Sequence, residues 1–420
     1  MDPYVLYAMP ASLYSGKARA YLRNHRIDYV ERAPGDARYG GEIEPVIGRW
    51  IIPVLQAPDG TIVQDTVDII DFLDATVPPD RSAYPATAGL RTIAHLLELF
   101  GGEGLLRPAM HYRWDFDDVN VPFLAKDFSS VLVVGADDAT REAVFAFASE
   151  RMRTATAAFG VTEELVPEIE RSYEEFLDLF DAHLAGSPYL LGGRPTIADY
   201  GFMGPLYAHL ARDPYPSVLM KQRAPRVWRW VERMNAPVLD ASEYGDCSEE
   251  LFPDDGLPDS LLQLLAYIGR EYLDEAVAQV SSVDAWLADH PEVTDGEVVL
   301  GKPKRRISGT TTFAWRGRPM TVGVVPSHVP LLLVQGTADS VVPYTSSQAV
   351  FAQIQAPVSY VTLIGADHFA PIAGGTRWPA GDRGVEEGGH IPVQHRGPRG
   401  AAALAATLAA SPLVHYASKG

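Results

Sequence analysis

The sequence predicts an α/β domain over residues 1–79, an all-helical domain over 85–240, a helical and hairpin extension over 250–325, and a partial α/β segment over 326–420. The first prediction rests on an opening order of strand, helix and strand followed by strand, strand and helix. The second rests on helical periodicity, which dominates after residue 85. Runs typical of buried parallel strands return only in the last segment. At about 150 residues per domain, a chain of 420 residues has room for these divisions.

The first domain is predicted to contain four strands and two helices. A strand–helix–strand unit joins parallel strands through a right-handed crossover, so the first two strands are expected to be parallel. Asp65 or Thr66 has the side chain of an N-cap for the second helix, and Pro78 and Pro79 end the unit. The predicted elements are strand 4–8, helix Lys17–Asn24, strand 27–31, the hairpin arms Trp50–Leu55 and Thr61–Gln64, and a helix over 66–75.

The second domain is predicted from amphipathic helices and one start signal. Gly192-Gly193 breaks the chain, and Thr196-Ile-Ala-Asp199 then has the spacing of a capping-box variant that opens the next helix. A short amphipathic helix follows over Pro225–Met234. Between 166 and 185 an apolar stripe at helical spacing is formed by Ile169, Tyr173, Phe176, Phe180 and Leu184.

The composition and the predicted secondary structure of the chain change several times beyond residue 240. An acidic, turn-rich stretch over 240–257 predicts a linker, and enrichment in Gly, Pro and Arg over 371–400 indicates loosely ordered chain. The predicted elements are a helix over Leu261–Leu287, a hairpin over Thr310–Val325 about Arg316-Gly317-Arg318, buried strands over Val329–Val334 and Val358–Leu363, and a last helix over 401–410.

The charge balance and the cysteine count limit the classes of function. With 35 Lys and Arg against 54 Asp and Glu, the formal net charge is −19, which disfavours nucleic acid and anionic membrane surfaces as partners. Cys247 is the one cysteine, so neither an intramolecular disulfide nor a zinc site built on several cysteines can form, and no metal is expected. We expect a cytoplasmic protein with no signal peptide and no membrane-spanning stretch.

Ser12 lies where the first strand passes into the first helix, and two interpretations are open for it. The segment reads Met9-Pro-Ala-Ser12-Leu-Tyr-Ser15-Gly-Lys17. A helix N-terminus presents unpaired backbone N–H groups and partial positive charge, which favour a thiolate. A serine hydroxyl there can donate a hydrogen bond to a bound thiolate and lower the pKa of its thiol. The alternative is that Ser12 or Ser15 only caps the helix.

These residues, in this order, resemble the N-terminal domain of glutathione S-transferases. In serine-type members a serine opens the first helix, and Ser12 matches that catalytic position. Ser12 and Ser15 also stand where related thioredoxin-fold proteins keep two cysteines, so disulfide exchange is not expected. The resemblance covers about residues 3–240. It implies a thioredoxin-like α/β domain followed by the family's all-helical domain, with glutathione as substrate and a homodimer as the assembly.

The resemblance also implies a glutathione site around Pro53 and Asp65. Ile52-Pro53 matches the family's cis-proline, whose preceding residue pairs with the cysteinyl backbone of glutathione; a trans proline on an edge strand is the alternative. Asp65 and Thr66 match the family's acid and hydroxyl pair, which implies that Asp65 holds the γ-glutamyl amine and Thr66 the γ-glutamyl carboxylate. An aspartate replaces the more usual glutamate, and simple helix capping is the alternative.

The helical domain adds a structural motif and candidate wall residues. The segment Tyr189–Asp199 matches the cap before the family's central buried helix, which implies that Asp199 satisfies N–H groups at the helix start. In the family the electrophile binds between the two domains. His111, Tyr112 and Trp114 are candidates for the wall of that site, and ordinary core or surface aromatics are the alternative.

A C-terminal stretch over 326–375 resembles the end of an α/β-hydrolase. Asp339 and His368 each follow a predicted strand and match that family's acid and base. The chain has no Gly-x-Ser-x-Gly motif for the nucleophile, and an acid and base alone cannot carry out acyl transfer. We interpret the segment as a remnant of gene fusion or rearrangement, an artefact of sequence assembly, or a structural appendage. A hydrolase that recruits Ser327 or Ser346 is a further alternative.

Three functions follow from these interpretations. The first is a glutathione transferase in which Ser12 activates the thiol for attack on a small, hydrophobic and unidentified electrophile. The second is a binding or scaffold protein that keeps the fold without efficient catalysis, because a fold does not determine a function. The third is hydrolysis through His368, which the missing nucleophile disfavours.

Overall fold

The computed structural model describes residues 2–77, 82–238, 241–245, 247–289, 310–323, 334–336 and 361–363. They belong to two compact units, the first ending at Tyr272 and the second beginning at Leu273. The candidate glutathione and electrophile residues all lie in the first unit.

The N-terminal domain is a four-stranded mixed sheet with helices between and after its strands. Its elements are β1 (Tyr4–Tyr7), α1 (Leu13–Asn24), β2 (Tyr29–Arg32), α2 (Glu44–Ile47), β3 (Val54–Gln56), β4 (Ile62–Gln64) and α3 (Thr66–Thr76). The strand order is β2-β1-β3-β4. β1 is parallel to β2 and antiparallel to β3, and β3 is antiparallel to β4. The thioredoxin-like order and the predicted parallel pair are therefore confirmed.

Hydrogen bonds at the two ends of α1 explain why α1 and β2 start at other residues than predicted. α1 starts at Leu13, one turn before the predicted start at Lys17, because Ser12 caps it. β2 starts at Tyr29 rather than at Ile27, since the main-chain N–H of Ile27 still bonds to a carbonyl in the last turn of α1 at 3.0 Å.

The hairpin arm predicted from Trp50 starts later, at Val54. The Tyr39 hydroxyl donates a hydrogen bond to the Ile51 carbonyl and accepts one from the Ile51 N–H at 2.9 Å. A side chain therefore takes both main-chain groups that a longer strand would pair with its neighbour. Pro53, which has no N–H, separates this anchored segment from β3.

The C-terminal part of the first unit is helical, as predicted. Its helices are α4 (Ala88–Leu99), α5 (Leu106–Trp114), α6 (Asp117–Leu132), α7 (Asp138–Ala158), α8 (Val166–His183), α9 (Ile197–Pro205), α10 (Pro214–Arg223) and α11 (Pro225–Asn235). π-Helical segments continue α4 over Phe100–Gly104 and α9 over Leu206–Ala211. The predicted apolar stripe of α8 is buried along its whole length, so it forms the centre of the helical core.

α9 is the central helix of this domain and every one of its residues is buried. A Cβ atom on Gly201 would lie 2.6 Å from the Cα atom of Glu98, and one on Gly101 would lie 2.6 Å from the carbonyl carbon of Gly201. Glycine is thus required where α4 and α9 pass so closely. The predicted capping box between Thr196 and Asp199 is confirmed.

The stretch predicted as a linker over 240–257 packs along the loop before α9. Gly193 donates its N–H to the Glu250 carbonyl at 2.9 Å, and Phe252 donates to the Leu191 carbonyl at 3.0 Å. α12 (Asp259–Asp289) follows. Its opening turns extend the core of the first unit with Leu261, Leu264, Leu265 and Ile268, all buried.

The second unit contains the end of α12, a hairpin and a short strand pair. β5 (Thr310–Trp315) and β6 (Arg318–Gly323) form the predicted antiparallel hairpin. Positive φ at Arg316 (48°) and Gly317 (76°) is typical of its tight two-residue turn. One face of the hairpin is buried through Phe313, Trp315, Met320 and Val322.

The end of the chain is described only at β7 (Val334–Gly336) and β8 (Val361–Leu363), which form a parallel pair. The two strands lie at the ends of the predicted buried runs. Asp339 and His368 lie outside the described residues, as do the segments 371–400 and 401–410. The hydrolase-like interpretation therefore stays a prediction.

The described residues contain neither a candidate membrane span nor a candidate metal cluster. No helix among them is long and apolar enough to cross a membrane. Within the same residues, no group of three or more His, Cys, Asp or Glu side chains could hold a metal ion.

Candidate active site

Ser12 is the N-cap residue of α1. Its backbone is extended (φ −89°, ψ 124°), and its Oγ atom accepts a hydrogen bond from the Ser15 N–H at 3.3 Å. The capping alternative is therefore realised in the structure. It does not use up the hydroxyl, because a serine Oγ that accepts one hydrogen bond still has its own O–H to donate.

The segment that leads to α1 is fixed by two further hydrogen bonds. The Ser12 N–H donates to the Met9 carbonyl at 3.1 Å, and the Met9 N–H points to the Oγ atom of Ser15 at 3.5 Å. Ser15 is fully buried. The second serine of the motif thus stabilises the loop of residues 9–12, called here the Ser12 loop, while Ser12 itself is half-buried.

Three neighbouring strands place the predicted site residues along one edge of the sheet. Tyr7, Val54 and Gln64 are paired side by side across β1, β3 and β4. From this row β1 leads into the N-terminus of α1 and β4 leads into the N-terminus of α3, while β3 begins directly after Pro53. The register therefore brings together the serine, the proline and the acid that the sequence singled out.

The peptide bond between Ile52 and Pro53 is cis, as predicted. The Ile52 side chain packs against the apolar cluster that contains Met9 and Ala11. Among the described residues, no hydrogen bond is made by the main-chain N–H or C=O of Ile52. Beside the Ser12 loop, Ile52 thus has a main-chain N–H and C=O without a partner among the described residues, and these groups can pair with an added peptide.

Asp65 and Thr66 begin α3 on an unusual backbone. Asp65 has φ +91° and ψ 140°, a region that residues with a Cβ atom rarely adopt. Its carboxylate accepts from the Val67 N–H at 3.1 Å. The Thr66 N–H, in the first turn of the helix, has no partner among the described residues. A strained acid and an unpaired helix-terminal N–H are suited to an ammonium and a carboxylate, respectively.

Tyr14, in the first turn of α1, lies within the electrostatic reach of this edge. Burial raises the pKa of the Tyr14 hydroxyl well above its usual value, and the carboxylates of Glu103 and Asp65 raise it further. The phenol is therefore neutral at physiological pH.

The three candidate wall residues separate in the structure. Trp114 joins the apolar cluster of the Ser12 loop, together with Met110 and Phe128, and the Arg153 guanidinium lies 4.9 Å above its ring. These members of the cluster are buried, so Trp114 lies in the core beside the Ser12 loop, and only side chains packed against the cluster, such as Ile52 and Phe123, are partly exposed.

The described contacts of His111 and Tyr112 lie elsewhere. The His111 ring nitrogens are 2.6 Å from Asp115 and 3.1 Å from Glu170, and the Tyr112 ring stacks on Phe116. Both side chains are buried among helices α5, α6 and α8. The structure places them in the core of the helical domain and does not bring them to the Ser12 loop.

Arg113, which lies between Tyr112 and Trp114 in the sequence, contacts the Ser12 loop, and the sequence did not predict this contact. Its Nη1 atom donates to the carbonyl of Ala11 at 2.8 Å, and its Nε atom donates to Asp213 at 2.6 Å. Ala11 directly precedes Ser12. The ion-pair partner is 100 residues away in sequence, so no local pattern could have identified it.

Two family models match the first unit. Residues 6–81 match the glutathione S-transferase N-terminal domain, and residues 163–233 match the glutathione S-transferase C-terminal domain. No curated protein matches the chain.

Solved structures similar to this chain include the following three. A glutathione transferase of Phanerochaete chrysosporium is 16% identical, with 57% of this chain and 99% of that chain covered and a TM-score of 0.41. A beta-etherase of a Sphingobium strain is 15% identical, with coverages of 58% and 100% and a TM-score of 0.40. A glutathione S-transferase of Ceriporiopsis subvermispora, solved with glutathione, is 16% identical, with coverages of 57% and 99% and a TM-score of 0.36.

The sheet topology, the helical domain and the two matched models agree on the first unit. Residues 6–81 and 163–233 are similar to the two glutathione S-transferase domains, and the first unit has the corresponding fold, a thioredoxin-like domain followed by a helical domain.

Proposed function

We propose that this protein is a glutathione-dependent transferase in which the Ser12 hydroxyl activates the glutathione thiol. The observation that carries the proposal is the pairing of Tyr7, Val54 and Gln64, which sets the three predicted glutathione contacts along one sheet edge. A tripeptide laid along this edge would pass the start of α1, the cis-proline and the start of α3 in turn.

Glutathione binding is assigned to backbone groups and one carboxylate. The unpaired N–H and C=O of Ile52 pair with the cysteinyl residue of glutathione, as a strand pairs with a sheet edge. The Asp65 carboxylate holds the γ-glutamyl ammonium, and the Thr66 N–H at the start of α3 binds the γ-glutamyl carboxylate. The unfavourable φ of Asp65 supports this assignment, because backbone strain tends to be kept where a site needs a particular geometry.

Ser12 is assigned to the chemical step. The glutathione thiol loses its proton to solvent, and the thiolate accepts a hydrogen bond from the Ser12 O–H at the positive end of α1. The sulfur then forms a bond to an electrophilic carbon, and the leaving group departs with its electron pair. Partly exposed apolar side chains that pack against the cluster of the Ser12 loop, among them Ile52, Phe123 and Phe159, favour a hydrophobic electrophile.

Two variants of Ser12 test this assignment. Ser12→Ala removes both the cap acceptor and the hydroxyl donor, whereas Ser12→Thr keeps both. We expect calorimetric titration to give glutathione affinities within about threefold of wild type for both variants. Conjugation to a chlorodinitrobenzene is expected to fall about 100-fold in kcat for Ser12→Ala and to be largely kept in Ser12→Thr.

Each other result has a defined meaning. Wild-type turnover in Ser12→Ala would remove the serine from the mechanism. Saturable glutathione binding without turnover by the wild-type protein would favour the binding or scaffold function. Absence of glutathione binding by the wild-type protein would contradict the transferase proposal altogether. The homodimer and the cytoplasmic location stay predictions.

A further inference from the structure

We propose that Arg113, a buried residue of the helical domain, positions Ser12 for thiol activation. This inference rests on the proposed function of Ser12 and adds a residue that acts through it. Arg113 does not touch the sheet edge where glutathione would lie. Its side chain contacts the main chain of the Ser12 loop at Ala11.

The Arg113 guanidinium distributes its donors over three acceptors. Nε and Nη2 bind the two oxygens of Asp213 at 2.6 and 3.0 Å, and Nη2 also donates to the Ala208 carbonyl at 2.6 Å. Nη1 donates to the Ala11 carbonyl at 2.8 Å. Arg113 is 2% exposed and Asp213 is fully buried. The planar fork of arginine reaches these four oxygen atoms from three separate nitrogens, whereas a lysine ammonium has only three N–H donors, all on one nitrogen.

The helical domain holds Arg113 in a fixed position. Asp213 is the N-cap residue of α10, yet its side chain makes no capping hydrogen bond and binds the guanidinium instead. The buried amide of Asn120 donates to the main-chain carbonyls of Tyr112 and Arg113 at 2.7 and 3.1 Å, and its Oδ1 atom accepts from the Tyr215 N–H at 3.0 Å. Both the backbone and the side chain of Arg113 are therefore held by contacts within the helical domain, independently of the contact with the Ser12 loop.

The contact fixes the peptide plane that carries Ser12. The carbonyl of the Ala11–Ser12 peptide is bound by Arg113, and its N–H is bound by the Met9 carbonyl at 3.1 Å. Because the peptide group is planar, binding at both ends removes rotation about that unit. Without Arg113 the plane can rotate and carry the Ser12 Oγ atom with it. A displacement of about 1 Å at a reacting group can cost on the order of 100-fold in rate.

Two variants separate positioning from folding. Arg113→Lys keeps a positive charge for Asp213 but gives up the donor to Ala11. The double variant Arg113→Met with Asp213→Leu removes both charges, so no unpaired charge stays buried. Arg212→Lys is the matched control, since Arg212 also binds a carboxylate, Asp127, through two nitrogens and has its described contacts outside the Ser12 loop.

Four quantities are measured on the full chain, with reduced glutathione and a chlorodinitrobenzene as substrates: glutathione affinity, kcat, the pKa of the bound thiol and amide hydrogen exchange. For Arg113→Lys we expect glutathione affinity within about threefold of wild type, kcat lower by about tenfold or more, and a higher pKa of the bound thiol, read from the ultraviolet absorbance of the thiolate. Amide hydrogen exchange of the peptide containing residues 9–15 should become faster. Arg212→Lys should match wild type in all four.

The outcomes separate this inference from the proposed function. A wild-type thiol pKa and wild-type exchange in Arg113→Lys would overturn the positioning role and leave Ser12 untouched. If that variant does not fold, the double variant decides by the same criteria. If wild-type protein neither binds glutathione nor lowers its thiol pKa, the proposed function fails and this inference fails with it.

Discussion

Among the aspartates at helix starts in the first unit, Asp199 and Asp65 differ in burial, backbone and hydrogen bonding. Asp199, at the start of α9, is fully buried. Its carboxylate accepts from the N–H groups of Thr196 at 2.9 Å and Leu190 at 3.0 Å and from the Trp230 indole at 3.2 Å. The acid thus connects the helix start to the preceding loop and to α11.

Asp65, at the start of α3, is half-buried and lies on a left-handed backbone. Among the described residues its side chain accepts one hydrogen bond, from Val67. A carboxylate has about four acceptor positions. Asp65 therefore keeps capacity for a ligand on a strained backbone, whereas Asp199 uses its capacity within the fold. The number of hydrogen bonds that each carboxylate already accepts, more than the sequence motif, distinguishes Asp199, the structural acid, from Asp65, the candidate binding acid.

The largest expected effect is on stability at Asp199. Asp199→Asn replaces one carboxylate oxygen by an NH₂ group, which faces N–H donors and cannot accept their hydrogen bonds. We therefore expect the free energy of unfolding to fall by about 3 kcal/mol. Asp65→Asn, the matched control, should lose under about 0.5 kcal/mol and bind glutathione about tenfold more weakly. Urea unfolding and calorimetric titration measure the two quantities. Equal stability losses in both variants would remove the distinction between the acids.

A further acid of the first unit, Glu98 in α4, contributes to stability in a way that depends on pH. Burial acts to raise the pKa of this carboxyl, but the adjacent Lys17 ammonium and His95 outweigh burial and lower the pKa to about 2. The folded state therefore holds the proton less tightly than the unfolded state. The stability that Glu98 contributes is present above its ordinary pKa of about 4.5 and is lost as the pH falls toward about 2.

Glu98→Gln should destabilise the protein by about 2 kcal/mol at neutral pH, because it leaves Lys17 buried without its carboxylate. The difference from wild type should shrink at about pH 3, where the wild-type carboxyl begins to take up its proton. Urea midpoints at the two pH values measure this. A difference that grows on acidification would contradict the assigned sign.

The smallest expected effect is a gain. Asp65→Gly removes the Cβ atom from a backbone with φ +91°, and we expect the free energy of unfolding to rise by about 1 kcal/mol. The same variant loses the carboxylate and should bind glutathione at least about tenfold more weakly. Thermal unfolding with and without glutathione reads both changes. A variant that is less stable and binds normally would contradict both the strain and the role of Asp65.

Much of the fold could be predicted because its signals are local. Short strand-like runs and turn residues predicted the order of the strands along the chain, and the spacing of Thr196 and Asp199 predicted a helix start that the structure has. The residues Arg316-Gly317 predicted the turn of the second unit's hairpin. The cis form of Pro53 came from family resemblance, since composition alone does not distinguish cis from trans.

What could not be predicted depends on contacts between distant parts of the chain. No pattern around Tyr39 indicates that its hydroxyl holds Ile51 and shortens β3. Successive residues of α5 point in different directions, so Trp114 reaches the Ser12 loop while His111 is buried beside α8. Arg113 has a role that appears only when Ala11 and its distant carboxylate partner are brought together.

The pKa of the glutathione thiol in the bound state tests the central claim most directly. The absorbance of the thiolate is followed against pH in complexes with wild-type protein and with Ser12→Ala. We predict a pKa near or below neutrality in the wild-type complex, and a rise in Ser12→Ala toward the value of a free thiol, about 8.5. The same pKa in both complexes, or no lowering in the wild-type complex, would contradict thiol activation by Ser12.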